Sequence, residues 1–423
     1  MALKIAIIGA GPAGCMLARL LTNSPDNHNI SVTIFEGEAS LNFRSQGGSL
    51  DLHDKTGQAA LKKAGLFDEF LKHARYDGEA LKLCDKNLLC YVKQSGGNTS
   101  RQKLTTGRPE IDRPKLRELL FNSLPKGTVE WSKKLTHIDR DTLTLHFADG
   151  TSQSSFDLIV GADGAWSKVR PLLTPDKPFY SGIAGHTANI PNALERYPDL
   201  HSLINRGSVF AFSDGKSLAG QQQGDGSLNI STWSVHAPDW QSTYDVHDGA
   251  QVKAAARRAY ATWDPRLLAL IEAAEDSSFI PRDLYMLPVG NCFSHVKGLT
   301  LIGDAAHLMT PFAGEGVNLA FEDSMRLSEA IIRASSSSPS PTTEKNHLDE
   351  QILTFERDMF TRAKATQEMT YKMLSLMFLT ENAPRSSIER YIITAVEGEL
   401  GPMLTVLVTP LVYVWFFVFK LIY

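Results

Sequence analysis

Four short, largely apolar runs predict buried β-strands, and each ends beside a glycine or a carboxylate. The runs are residues 4–8, 30–35, 156–161 and 299–302. The first, third and fourth lead into glycines and then into a loop or a helical pattern. One such strand end is common. Three in one chain indicate a single long ligand that lies across a parallel sheet, at the carboxyl ends of its strands.

The first strand end carries the most specific glycine pattern. Gly9, Gly11 and Gly14 have the spacing G-x-G-x-x-G, and a helical pattern continues from them to Thr22. In a dinucleotide-binding unit the first glycine allows a tight turn, the second lets a pyrophosphate approach, and the third lets the helix pack on the strand. Glu36 ends the second strand about twenty residues later, where an acid accepts a hydrogen bond from ribose. The glycine spacing alone is weak evidence, but in this context it predicts a dinucleotide site.

The other two strand ends offer similar chemistry. Glycines there let the backbone turn and let amide groups approach an electron-rich ring or a phosphate, and a carboxylate can accept hydrogen bonds from ligand hydroxyls. For a single glycine–aspartate pair, an ordinary turn with a capping aspartate is the alternative. The candidate residues are Asp163 and Gly164 after the third strand, and Gly303, Asp304, Gly314 and Gly316 after the fourth.

Two pairs of charged residues between the strands have a role that the pattern leaves open. Arg44 and Asp51 flank a glycine-rich loop, and Arg113 and Arg117 lie one turn apart on a predicted helix. Each pair is either solvated, as isolated surface charges usually are, or faces a cofactor.

The pattern changes between Gly182 and Ser234. Alternating runs at 208–212 and 227–233, separated by turns, predict an antiparallel sheet whose inner face forms a substrate pocket, and a helical stretch over about 252–274 follows. The predicted fold class is α/β, with a Rossmann-like dinucleotide-binding domain, an antiparallel-sheet substrate domain and C-terminal helices. The expected segments are 1–175 for the first part of the Rossmann-like domain (with the strands of 80–100 nearer the substrate domain), 176–285 for the substrate domain, 286–330 for the second part of the Rossmann-like domain, 340–385 for a C-terminal helix and 400–423 for a hydrophobic tail.

Composition excludes several other classes of protein. The chain has 423 residues and a formal net charge of −4, so neither its charge nor a basic patch favours nucleic-acid binding. Its four cysteines lack the paired spacing of a zinc site and are too scattered for a disulfide framework, and no metal site is predicted. The first strand begins so early that a secretory signal is not expected.

The hydrophobic tail raises the question of a membrane. No charged residue occurs from Leu400 to Phe419, and twenty helical residues reach roughly 30 Å, enough to cross a hydrocarbon core. One interpretation is a C-terminal membrane anchor that leaves the rest of the chain in the cytosol. The alternative is a cytoplasmic protein whose terminal helix is buried, or a helix that lies in the membrane interface, which Pro410 and the neighbouring aromatic residues favour.

Taken together, these motifs resemble those of the FAD-dependent monooxygenases of the single-component aromatic hydroxylase group, and most of all the tetracycline-inactivating flavin monooxygenases. The resemblance runs from about residue 4 to residue 378. It implies that the Rossmann-like domain binds FAD. By the same resemblance, Asp51, Arg113 and Asp304 contact FAD, Arg44 contacts the nicotinamide donor NADPH, and Asp163 and Gly164 lie near the pyrophosphate. The most specific stretches are 9–14, 47–53, 110–113, 167–170 and 303–314.

The resemblance also implies an activity. NADPH would reduce the flavin, O₂ would add to it as a C4a-hydroperoxide, and one oxygen atom would pass to a small, lipophilic, natural-product-like substrate. A flavin-dependent reductase or dehydrogenase of the same fold is the alternative. No catalytic acid or base is assigned, because His53, His186 and His307 are each more typical of a hydrogen-bonded structural histidine. The oligomeric state is left open.

The sequence departs from this family's pattern at two places. Glu315 stands where a glutamine is usual, next to the flavin-binding glycines. In the substrate sheet, small residues near Thr187 and Ser208 replace the glutamine and arginine that grip tetracycline, so tetracycline is not the expected substrate. Thr187, Ser208 and Phe312 are the candidate substrate contacts.

Overall fold

The computed structural model describes residues 2–25, 29–41, 48–94, 107–336 and 341–423. The strands, numbered along the chain, are β1 (Leu3–Ile8), β2 (Ile30–Phe35), β3 (Ser49–Asp51), β4 (Leu81–Asp85), β5 (Cys90–Gln94), β6 (Glu110–Asp112), β7 (Val129–Glu130), β8 (Leu135–Ile138), β9 (Leu145–Phe147), β10 (Ser152–Gln153), β11 (Leu158–Gly161), β12 (Phe179–Ile190), β13 (Ser208–Ser213), β14 (Lys216–Gln222), β15 (Leu228–Val235), β16 (Ile280–Met286) and β17 (Leu299–Leu301). The helices are α1 (Pro12–Thr22), α2 (Ala59–Lys63), α3 (Phe67–Leu71), α4 (Arg113–Asn122), α5 (Ala193–Arg196), α6 (Pro198–Ile204), α7 (Gly249–Ala259), α8 (Pro265–Ala273), α9 (Asp304–His307), α10 (Gly316–Ser336), α11 (Pro341–Leu374) and α12 (Ile388–Ile422).

A five-stranded parallel sheet has the order β17-β11-β1-β2-β7. Its central strands are buried on both faces, and the largest apolar cluster packs them against α1, α10 and α11. Such full burial explains why these strands are continuous apolar runs rather than alternating ones. Because β17, β11 and β1 are parallel neighbours, the three glycine-bearing strand ends lie side by side at one edge of the sheet.

A seven-stranded sheet has the order β16-β12-β15-β14-β13-β4-β5 and is antiparallel except where β13 pairs with β4. Its outer face is covered by α6, α7 and α8 through a second apolar cluster. The strands β4 and β5 come from the first quarter of the chain, yet they complete this sheet. With the parallel sheet and the C-terminal helices, this arrangement confirms the predicted α/β class.

Cross-strand register determines which side chains share the inner face of the seven-stranded sheet, since directly paired residues point the same way. One row runs across β12, β15, β14 and β13 through Asn189, Asn229, Gln221 and Ser208. The next row on the same face runs through Thr187, Ser231, Ala219 and Phe210.

The helical stretch expected over about 252–274 consists of two helices. α7 ends at Ala259 and α8 begins at Pro265. Proline lacks the N–H that a continuous helix needs, but it fits the first position of a new one. The Asp264 carboxylate accepts a hydrogen bond from the amide of Arg266 at 2.9 Å and so caps α8.

The C-terminal helix α12 is interrupted at Gly401, whose φ is +75°. Beyond it, Met403–Ile422 is long and apolar enough to cross a membrane, and only 11% of its most apolar window is buried against the rest of the chain. One side of this segment does pack: Phe416 is buried, and Phe419 contacts Tyr91 of β5 with ring centroids 5.3 Å apart. The end of the helix is held by an ion pair between Lys420 and Glu389 at 2.6 Å.

Candidate cofactor and substrate site

The loop after β1 has the geometry that its glycine spacing predicts. Gly9 has a φ of +106°, and a Cβ there would lie 2.5 Å from the carbonyl oxygen of Ala162. A Cβ on Gly14 would lie 2.1 Å from the carbonyl oxygen of Gly9. A Cβ on Gly11, by contrast, would meet no described atom within 4 Å. Two of the glycines are therefore needed for packing within the protein, and Gly11 faces open space at the start of α1.

The carboxylate of Glu36 lies against this loop. It accepts hydrogen bonds from the amide of Ala10 at 2.7 Å and from the amide of Glu38 at 2.8 Å. Nearby, Arg117 forms an ion pair with Glu38 at 2.6 Å, and both side chains are buried. Arg117 therefore does not belong to a solvated basic face. It ties α4 to the segment that follows β2.

The strand end after β11 leaves one carboxylate oxygen without a partner. Oδ2 of Asp163 accepts a hydrogen bond from the amide of Lys168 at 2.6 Å, whereas Oδ1 is buried and has no hydrogen-bond partner among the described residues. Burial raises the pKa of Asp163, although Ser167 and nearby amides act in the opposite direction. Gly164 has a φ of +74°, and a Cβ there would meet no described atom within 4 Å. An unsatisfied oxygen beside open space is suited to a ligand.

The strand end after β17 carries Asp304, the first residue of α9. Its side chain keeps accessible surface at the edge of the parallel sheet where the strand ends meet, an edge that we name the cleft. Surrounding protein atoms nevertheless desolvate the carboxyl group and raise its pKa, while the positive charges of His307, Arg113 and Arg170 lower it. Arg113 and Arg170 thus lie on the same side of the cleft as Asp304.

A buried network behind Asp304 was not identified from the sequence. Asp323 of α10 is fully buried and accepts hydrogen bonds from His307 Nε2 at 2.6 Å, from the amide of Gly303 at 3.1 Å and from Arg362 Nη1 at 3.0 Å. Burial opposes the ionisation of Asp323, but these partners outweigh it and lower the pKa. The sequence contained one sign of this network, which is an acidic residue on the apolar face of a predicted helix. Asp323 holds the turn at Gly303 in place.

The segment around β3 is hydrogen-bonded to α10, the helix that also carries Asp323. The side chain of Asn318 donates to the carbonyl oxygen of Asp51 at 3.0 Å and accepts from the amide of His53 at 2.9 Å. The amide of Arg113 donates to the carbonyl oxygen of Gly48 at 3.1 Å. These contacts bring Asp51 and Arg113 to the edge of the cleft that Asp304 faces. Arg44 lies outside the described residues.

The inner face of the seven-stranded sheet approaches the cleft at Gly48. From a Cβ built on Gly48, the distances are 3.7 Å to Asn229 Oδ1, 3.8 Å to Gln221 Oε1 and 3.9 Å to Arg113 Nε. Asn229 and Gln221 were not singled out from the sequence. Their position on this face became visible only with the register of four strands.

Of the candidate substrate residues, Thr187 and Ser208 lie on this face but not together, and Phe312 lies in the turn before α10. Thr187 and Ser208 are separated by three strand spacings, which is roughly 14 Å at about 4.8 Å per strand. Ser208 is buried and accepts a hydrogen bond from Gln221 Nε2 at 3.3 Å. Phe312 packs on Phe378 with ring centroids 4.8 Å apart, in the apolar cluster of the same sheet.

His186 and the four cysteines do not take part in the contacts described above. His186 points to the outer side of the sheet, bonds to the carbonyl oxygen of Val246 at 3.1 Å, and has its pKa lowered to about 4 by burial. All four cysteines are free thiols. In the described part of the chain, no group of three His, Cys, Asp or Glu side chains is arranged to hold a metal ion.

Comparison with known proteins identifies the family. A family model described as an FAD binding domain matches residues 2–183 and 294–341, which is more than half of the chain. The chain belongs to this FAD-binding family. A monooxygenase of Penicillium thymicola, penA, is 31% identical to it, over 90% of this chain and 96% of that protein. The protein is therefore an FAD-dependent monooxygenase, as its motifs predicted.

Solved structures of this class share the fold of the enzyme. HpxO of Klebsiella pneumoniae, solved with FAD and uric acid, superposes with a TM-score of 0.73 at 18% identity, over 97% of each chain. The tetracycline destructase Tet(51) superposes with a TM-score of 0.64 at 18% identity, over 94% of this chain and 96% of that one. At this identity the likeness establishes the fold alone.

The residues present fit FAD. The open positions at Gly11 and Gly164 lie at the edge of the sheet where a long ligand would lie, and Asp163, whose buried Oδ1 lacks a partner, directly precedes Gly164. A dinucleotide needs amide donors for its phosphates and carboxylates for its hydroxyls, and these strand ends supply both. Such a cofactor carries the oxygen chemistry, while the protein binds and orients it.

Proposed function

We propose that the enzyme uses NADPH and O₂ to insert one oxygen atom into a small, lipophilic, natural-product-like molecule held between the FAD site and the inner face of the seven-stranded sheet. The observation that carries this proposal is the approach of that face to Gly48, where Asn229, Gln221 and Arg113 converge. When FAD is bound, the cofactor carries out the chemistry with O₂. The protein has to orient the substrate and exclude water.

The aromatic composition of this face supports a lipophilic substrate. Phe210, Trp233, Phe312 and Phe378 belong to one apolar cluster on the inner side of the sheet. Aromatic walls of this kind bury apolar surface and keep water from the reacting atoms. A charged substrate would lose its hydration against these four aromatic side chains, which offer it no charged partner.

Two amide side chains supply polar selectivity within this apolar setting. The Nδ2 of Asn229 donates to Asn189 Oδ1 at 2.8 Å, and the Nε2 of Gln221 donates to Ser208 Oγ at 3.3 Å. Each amide donates at least one N–H to a neighbour within the sheet, and the carbonyl oxygens, which lie toward Gly48, are available as acceptors. We infer that the substrate carries N–H or O–H donors on the side that faces these oxygens.

A search for the substrate tests this function. Purified enzyme, FAD and NADPH are incubated with metabolite extracts from a strain that lacks the enzyme, and the products are compared by mass spectrometry. We expect one compound to gain the mass of a single oxygen atom while NADPH consumption rises. A compound that gains or loses only hydrogen would support the reductase or dehydrogenase instead.

Binding of the nicotinamide donor NADPH is predicted to depend on Arg44. A guanidinium beside a glycine-rich stretch of sequence suits a donor that binds transiently through its phosphates. We expect Arg44→Ala to raise the KM for NADPH about tenfold or more, since a charge-assisted hydrogen bond contributes ~1.5–3 kcal/mol. FAD content, read from the absorbance of the purified protein, should not change. An unaltered KM for NADPH would remove Arg44 from this role.

We also propose that the tail of α12 binds a lipid bilayer. The exposed fractions of Leu411, Val414 and Trp415 are 68%, 64% and 65%, which is unusual for large apolar side chains on one helix. The opposite side of the helix is held against the protein through Phe416 and Lys420. A helix fixed along one side and apolar on the other is suited to lie in a membrane interface and to bring the substrate site near lipophilic molecules.

The tail prediction is tested with a double variant, Leu411→Glu with Trp415→Glu, which changes the exposed side only. We expect the full-length protein to sediment with membranes and to resist high salt, and the variant to stay in the supernatant. Leu194→Glu, also at an exposed apolar position but far from the tail, is the matched control and should sediment like the wild type. A wild-type protein that remains soluble after high-speed centrifugation would contradict membrane binding.

A further inference from the structure

His53 lies between two carboxylates at the edge of the cofactor site. Its Nε2 is 3.0 Å from Asp51 Oδ2, and its Nδ1 is 3.3 Å from Glu315 Oε1. The imidazole is largely buried, with 12% of its side chain exposed. Asp51 and Glu315 belong to different segments, one ending β3 and the other preceding α10. The imidazole therefore bridges two parts of the chain that are distant in sequence.

Hydrogen-bond chemistry determines the protonation state of this bridge. A neutral imidazole has one N–H group, so one of its nitrogens would present a lone pair to a carboxylate oxygen. Only the imidazolium donates to both partners. Burial works against the charged form, but the hydrogen bonds and charges of Asp51 and Glu315 outweigh it and raise the pKa of His53 to about 9.

Other charged groups around the bridge have partners of their own. Asp54, on the helical turn after His53, pairs with Lys62 of α2 at 2.8 Å. Glu110 of β6 lies opposite Asp51 in the strand pair, is bound by Ser49 at 2.5 Å and lies 3.2 Å from Arg75. Arg113 follows on α4 and faces Asp304. The charges that act directly on the imidazole are those of Asp51 and Glu315.

The two bridged segments both contribute candidate FAD contacts. A Cβ on Gly314 would lie 3.3 Å from Asp51 Oδ1, so the glycine turn rests against the Asp51 carboxylate. We propose that Glu315 keeps His53 doubly protonated, and that this imidazolium clamps the Asp51 segment onto the Gly314–Gly316 turn in the form that binds FAD. Glu315 and His53 are positioning residues in this scheme. A carboxylate at position 315, rather than a neutral amide, extends the clamp to higher pH.

The sign of the pH dependence follows from the raised pKa. A group whose pKa is higher in the folded form stabilises that form fully below its unfolded value of about 6.5, and this contribution is lost as the pH rises through the folded value. In the proposed clamp it is likewise the protonated imidazole that favours the form that binds FAD, so FAD affinity should be constant near neutral pH and weaken as the pH rises through about 9. With glutamine at position 315 one carboxylate charge is removed, so the same weakening should begin at lower pH.

The test compares FAD dissociation constants of the apoprotein across pH, measured by quenching of flavin fluorescence. We expect Glu315→Gln to move the midpoint of the pH profile downward by on the order of one unit, because one charged hydrogen-bond partner is lost. Glu368→Gln, on an exposed part of α11, is the control and should match the wild type. All variants share any titration of FAD itself, so the difference between profiles reports on the clamp.

A second readout does not require bound FAD. The ¹⁵N chemical shifts of His53 report directly whether both ring nitrogens carry protons. We expect a doubly protonated ring in the wild type at pH 7.5 and a larger neutral fraction in Glu315→Gln. Identical pH profiles for wild type and Glu315→Gln, or a neutral His53 in the wild type, would overturn the proposal. Neither measurement involves a substrate, so the function proposed above could fail without affecting this result.

Discussion

Replacement of Asp304 by alanine is expected to yield a protein that purifies almost free of FAD. Asp304 presents a carboxylate to the cleft at the end of β17, beside Gly303 and on the same side as Arg113. A charge-assisted hydrogen bond to a cofactor hydroxyl contributes ~1.5–3 kcal/mol, so its loss should weaken FAD binding by roughly ten- to a hundredfold. The flavin absorbance per mole of purified protein is the measurement.

Two further variants distinguish a loss of FAD binding from a loss of folding. Asp304→Asn keeps the shape of the side chain but not its charge, and we expect an intermediate flavin content. Asp141→Ala, in an exposed turn, should retain the full wild-type content. Undiminished flavin in a folded Asp304→Ala protein would remove Asp304 from the cofactor site.

Replacement of Asp323 by alanine is expected to cause the largest loss of stability of any single change proposed for this enzyme. The substitution leaves His307 and Arg362 without their shared carboxylate and frees the amide of Gly303. Breaking a buried ion pair by removing one partner costs ~3–5 kcal/mol. Urea unfolding of the variant and the wild type gives the difference in the free energy of unfolding.

The pH dependence of stability provides an independent check on Asp323. Its pKa is lowered in the folded protein, so its contribution is present above the unfolded value of about 3.9 and is lost as the pH falls through the folded value. We expect Asp323→Ala to lack this acid-sensitive contribution. Asp141→Ala should stay within about 0.5 kcal/mol of the wild type, as exposed substitutions usually do. A loss below about 1 kcal/mol for Asp323→Ala would contradict the structural role of this network.

The cofactor half of the molecule was largely predictable from sequence, because its constraints are local. Gly9 and Gly14 are required by contacts within a few residues or with the adjacent strand, and the strands are long enough apolar runs to be recognised.

The substrate half was less predictable, because its geometry depends on strand register. Gln221 and Asn229 face the cofactor cleft only because four strands pair with one specific alignment, and nothing in their immediate sequence marks them. Thr187 and Ser208 were expected as substrate contacts and share a face, but they are three strands apart. Arg117 and Asp323 likewise became interpretable only with their partners, Glu38 and His307, which are distant in sequence.

Isotopic labelling tests the central claim most directly. The holoenzyme is supplied with NADPH and the substrate found in the extract search, once under ¹⁸O₂ in ordinary water and once under ordinary O₂ in H₂¹⁸O, and the product is analysed by mass spectrometry. We predict that the product carries one ¹⁸O atom under labelled O₂ and none from labelled water. A product whose new oxygen comes from water, or a product without any new oxygen, would contradict monooxygenation.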